Sequence, residues 1–215
     1  MMELLDVFNE GGPFMYAILC LSLFAIGVIF HKMYLFFFKL RLSEDEVTQA
    51  ILKSVESNSY ARAIQFCNAK NHPLTNILKA GLIRANRTEK EIRRAMEIAA
   101  AEELPPLKKG TVLLPQLSNT ATLLGLLGTI RGLIVAFSGM EGGDAVKRQE
   151  ALSKGIALAF RATFFALSVA VVMILFYLVL LTKETRMKAK IEHSAAQLVD
   201  VLVTKNKGAA PSSRI

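Results

Sequence analysis

Four hydroxyl residues, Thr122, Thr129, Thr163 and Ser168, sit inside long apolar runs, and two arginines, Arg131 and Arg161, keep them company. The runs 13–38, 112–140 and 155–182 contain no Asp or Glu. A group that carries a proton across a low-dielectric layer must change charge there. Hydroxyls titrate far from neutrality and arginine stays protonated. A threonine can donate to a carboxylate, accept from a carboxylic acid, or hold a water beside either. These side chains can therefore serve an acid but cannot supply one. If protons cross here, the titrating acid belongs to another chain. The plainer use of a membrane-helix threonine is a bond back to its own backbone, and spacing alone gives that reading for all four hydroxyls.

The arginines carry a cost. On insertion scales an arginine near a bilayer centre is unfavourable by about 2.5–3.5 kcal/mol. Arg161 is near one end of its run and can snorkel to the headgroups. Arg131 is about 18 Å along a helix starting at Asn119, at 1.5 Å per residue. Three readings stay open for it: snorkelling, a lipid phosphate, or a carboxylate of a partner.

Helices that associate in lipid need small residues at the contact, because lipid tails give no hydrophobic drive toward association. Ala121, Gly125 and Thr129 are four apart, as are Gly128, Gly132 and Ala136. Two such rows on one helix predict neighbours on two sides, and so an oligomer.

These residues need helices to hold them, and composition says where the helices lie. The chain has 215 residues, is 53% hydrophobic, and carries a formal charge of +8. Its positive charge is unevenly spread. Residues 1–12 hold Glu3, Asp6 and Glu10 and no Lys or Arg; 31–111 hold fourteen Lys/Arg against nine acids; 183–215 hold seven against three. With three spans, the two basic segments fall on one side, the positive-inside pattern. Topology thus accounts for the basic balance, and no nucleic-acid partner is expected.

The expected fold is an all-α integral membrane protein with long cytoplasmic helical extensions. Residues 1–12 are the periplasmic amino terminus and 13–38 the first transmembrane helix. A cytoplasmic helical region follows over 39–111, then the second transmembrane helix at 112–140. A periplasmic loop at 141–154, with a turn at Gly142-Gly143, leads to the third transmembrane helix at 155–182. A cytoplasmic helix over 183–207 and a disordered tail over 208–215 complete the chain. An acidic start and a run ending in His31-Lys32 favour a retained first span over a cleaved signal. Ser43 with Glu46, and Thr88 with Glu91, fit capping boxes. Asn71-His72-Pro73 and Pro105-Pro106 should break helices.

Cys20 and Cys67 fall in different compartments, and His31, His72 and His193 show no ligand spacing, so neither a disulfide framework nor a metal site is expected. No P-loop, HExxH, nucleophile elbow or Rossmann fingerprint occurs, so the chain offers no foothold for an enzyme, a catalytic residue or a cofactor.

The segments ATLLGLLGTIRGLIVAF (121–137) and GIALAFRATFFALSVAV (155–171) resemble the MotA/TolQ/ExbB proton channel family. The three-span layout with one large cytoplasmic segment is similar to its ExbB/TolQ branch. The resemblance implies a homopentameric ring in the bacterial inner membrane. Its second and third helices would line a central pore that holds a dimer of an ExbD/TolR-like single-span protein. That partner's membrane aspartate would carry the proton, and a third envelope protein would receive the work. The family's two pore-facing threonines map onto Thr129 and Thr163. Many relatives carry a glutamate where this chain has Leu158. Two other readings remain: a non-conducting scaffold for a single-span partner, and an anion-permeable pore ringed by Arg131.

Overall fold

The computed structural model describes residues 12–39, 44–70, 72–140 and 144–209. The acidic segment 1–11, the Ser43 cap, Asn71, the Gly142-Gly143 turn and the tail beyond Ala209 lie outside the described residues. Every regular element among the described residues is helical. We label them α1 (Pro13–Tyr34), α2 (Glu44–Glu56), α3 (Tyr60–Ala69), α4 (Pro73–Ile83), α5 (Glu89–Glu103), α6 (Pro105–Lys108), α7 (Leu113–Ser138) and α8 (Ala145–Ala209). A π-helical turn, Leu35–Lys39, continues α1. Three stretches are long and apolar enough to cross a membrane: one over Pro13–Phe37, one within Glu89–Ser138 and one within Ala145–Asn206.

The chain divides into two compact units, one of residues 1–33 and 110–181, the other of 34–109 and 182–215. Helix α8 contributes to both. It starts at Ala145, so residues 145–154, read from sequence as loop, are its first turns. Good helix formers fill that stretch, and Lys154 reaches Glu150 one turn back at 2.6 Å.

In the second unit, breakers and caps set the helix ends. Pro73 occupies the first turn of α4, and the His72 ring accepts from the Leu74 amide at 3.2 Å. Thr88 and Glu91 form the capping box of α5, which holds the Glu91 carboxyl below its ordinary range through the Thr88 hydrogen bonds. Pro105 separates α5 from the short α6. Buried Val47, Ile51, Leu78, Ile92, Leu198 and Leu202 fill the core. Polar bonds tie α8 to α2 in parallel register. Lys190 meets Asp45 at 3.2 Å, Ser194 accepts from Thr48 at 2.8 Å, and Lys205 donates to Glu56 O at 2.7 Å.

Candidate functional site: the threonine flank of the α7–α8 pair

The first unit is built on one antiparallel contact. Small residues on α7 recur at Ala121, Gly125, Gly128, Gly132 and Ala136, a 4-3-4-4 spacing that keeps them on one side of a 3.6-residue helix. Helix α8 carries the same spacing at Gly155, Ala159, Ala162, Ala166 and Ala170, all buried. The two stripes mesh in opposite directions. A Cβ at Gly125 would lie 2.5 Å from Ala166 Cβ, one at Gly128 2.6 Å from Ala162 Cβ, and one at Gly132 2.7 Å from Ala159 Cβ. Ser118 extends the seam by donating to Ala170 O at 3.1 Å.

This register revises the two-row argument. Ala121, Gly125, Gly128, Gly132 and Ala136 form one stripe against one neighbour inside the same chain. Their spacing therefore gives no independent sign of an oligomer. The matching stripe on α8 carries its own signal in the sequence, a repeat of the 4-3-4-4 pattern, but alanine is so common in helices that the spacing by itself does not single it out.

Register also decides which flank each functional residue takes. Thr129 follows Gly128, and Thr163 follows Ala162, its opposite number. One residue is a rotation of about 100°. Two facing antiparallel helices turned by the same step present those residues on the same side. Thr129 and Thr163 thus share a flank, and Thr163 Oγ1 lies 3.3 Å from Gly125 O across the seam. Arg131 precedes Gly132, and Arg161 precedes Ala162, so both arginines turn to the opposite flank.

Helix α1 covers the arginine flank. The residue before it, Gly12, adopts φ +72°, and a Cβ there would lie 2.5 Å from Arg131 Nη1. That Nη1 is buried with no hydrogen-bond partner among the described residues. Further along, Phe165, Val169 and Val172 continue the row of Arg161 and face Leu19, Ser22 and Ile26 of α1 across a groove of about 390 Å³. No helix of the described residues covers the threonine flank. There Leu126, Leu133, Phe160, Leu167 and Ile174 stand exposed around the two half-buried threonines.

The hydroxyl bonds refine the chemistry. Thr129 Oγ1 donates to Leu126 O at 2.7 Å, and Thr163 Oγ1 lies 3.2 Å from Ala159 O. The backbone bonding expected of membrane threonines is therefore present at both. It does not exclude a second role, because each oxygen keeps lone pairs.

The profile of the MotA/TolQ/ExbB proton channel family matches residues 69–193, which take in α4, α5, α7 and the whole α7–α8 seam. The chain belongs to that family. Among the described residues it is all-helical, with three candidate membrane spans, and relatives carry the likeness along most of its length. A protein of Synechocystis sp. named biopolymer transport protein ExbB-like 1 is 33% identical over 188 residues, 86% of this chain and 73% of the relative. A second from that organism, ExbB-like 3, is 30% identical over 189 residues, 87% of this chain and 90% of the relative. An ExbB homologue of Methanothermobacter thermautotrophicus is 25% identical over 173 residues, 80% of this chain and 61% of the relative.

Proposed function

We propose that this chain is the proton-channel subunit of an inner-membrane motor that couples the proton gradient to work on an envelope protein. Five copies assemble with their threonine flanks inward, so that Thr129 and Thr163 line a central passage. A dimer of an ExbD/TolR-like single-span protein stands in that passage and brings the membrane aspartate. Residues 1–12 and 141–154 face the periplasm, and 39–111 and 183–215 the cytoplasm.

One observation supports this reading most. The two threonines share the flank that the described residues leave open, while the first helix occupies the other. The exposed leucines and Phe160 on the open flank suit burial against further helices, and the uncharged setting suits a carboxyl that must gain and lose a proton. The same geometry weakens the anion pore, because Arg131 lies against Gly12 rather than beside Thr129.

Replacing Thr129 and Thr163 together by Val keeps shape and removes both hydroxyls. In liposomes containing the chain and its single-span partner, the double variant should assemble normally and lose proton uptake. Uptake at the wild-type rate would refute the pathway. Absence of uptake from the wild-type complex under a proton gradient would favour the scaffold.

A further inference from the structure

A third hydroxyl shares the open flank. Thr122 is seven residues before Thr129, two helical turns, and so points the same way to within about 20°. It is half-buried, and its Oγ1 donates to Ser118 O at 3.1 Å. In height it is about 10 Å from Thr129, toward the Leu113 end of α7. Thr163 falls between them, since its hydroxyl reaches Gly125 O. Along the helix axis the three oxygens therefore follow one another as a ladder at about 5 Å per step, with the offset between α7 and α8 added to it. Bridging waters, at about 2.8 Å per hydrogen bond, can join them.

The ladder has a polarity. Each hydroxyl has one proton, and backbone carbonyls lie within reach of all three: Ser118 O for Thr122, Leu126 O for Thr129, and Ala159 O or Gly125 O for Thr163. With those bonds made, only lone pairs face the open flank. Lone pairs accept from water, hydronium or a carboxylic acid and offer nothing to a carboxylate. The two arginines, which would favour the carboxylate, are on the other side of the seam.

We propose that Thr122 is a positioning residue of the proton pathway: it holds the water that receives the proton after Thr163, toward the Leu113 end of α7. The inference rests on the pathway reading above. In the step it serves, the O–H bond of the guest carboxylic acid breaks, leaving a carboxylate. The bridging water takes the proton as hydronium and passes it to the next water along the ladder. Thr122 stays bonded to Ser118 O throughout and changes no charge.

The test uses the complete complex of this chain and its single-span partner in liposomes, with proton uptake measured in H2O and D2O. Losing one water-holding hydrogen bond should slow uptake about tenfold in Thr122→Val, with a larger solvent isotope effect. Thr122→Ser should restore the rate. Wild-type uptake and isotope effect in Thr122→Val, with the Thr129/Thr163 double variant silent, overturn the role of Thr122 and leave the pathway standing. Wild-type uptake in the double variant overturns the pathway and Thr122 with it. If Thr122→Val fails to assemble, Thr122→Ala answers the same question, and a slow rate rescued only by Ser again supports the assignment.

Discussion

Gly132→Ala is the sharpest probe of the α7–α8 seam. The added Cβ would lie 2.7 Å from both Ala159 Cβ and Ala159 N, and 2.8 Å from Ala159 Cα. Carbon atoms rest at about 3.5–4.0 Å, and two of these three neighbours are backbone, so no rotamer relieves the clash. The helices must part by about 1 Å at this level. That displacement would take the Thr163–Gly125 contact, already 3.3 Å, beyond hydrogen-bonding range. Overpacking of this kind costs about 1–3 kcal/mol, against a gain of up to about 1 kcal/mol from replacing a helical glycine. Gly27→Ala is the control, because its Cβ would meet nothing within 4 Å and it collects the same propensity gain. Thermal unfolding of the purified chain in detergent should place Gly132→Ala below wild type and Gly27→Ala at or above it. At about 2–4 °C per kcal/mol for a chain of this size, the two should differ by several degrees. Adding Ala159→Gly should recover part of the loss, a coupling that a double-mutant cycle reads directly. Equal melting of Gly132→Ala and Gly27→Ala, with no coupling to Ala159, would refute the register from which both flanks were assigned.

Two further perturbations test other parts of the structure. Arg131→Met should leave proton uptake and ion preference unchanged, because Arg131 faces α1 and not the threonines; liposome flux with paired cations and anions checks this, and a change of preference would return Arg131 to the conducting path. Cys67 is buried, and that burial pushes its thiol from about 9 up to about 11. The folded chain keeps that proton between pH 9 and 11 while the unfolded chain releases it, so stability present below pH 9 falls as pH rises through this window. The loss is on the order of 2 kcal/mol by pH 11. Denaturant unfolding at pH 8 and 10.5 should show the drop in wild type and a smaller one in Cys67→Ala, and equal drops would remove the thiol as its cause.

Local chemistry alone set much of this protein. The apolar runs without carboxylates set the three candidate spans and required that any titrating acid come from elsewhere. The Thr88–Glu91 box and Pro73 and Pro105 marked helix ends, because caps and prolines act on the turn that contains them. What tertiary structure decided was the pairing. Small residues on α7 read as two rows until α8 supplied one matching stripe, with Gly132 set against Ala159 twenty-seven residues away. Only that register sends Thr122, Thr129 and Thr163 to one flank and Arg131 and Arg161 to the other. The position of Gly12 against Arg131, and the groove that Leu19 and Ser22 share with Phe165 and Val169, show which flank α1 takes. A sequence fixes the rotation between residues on one helix. The angle between residues on two helices depends on how their surfaces mesh, and no single turn of either encodes it.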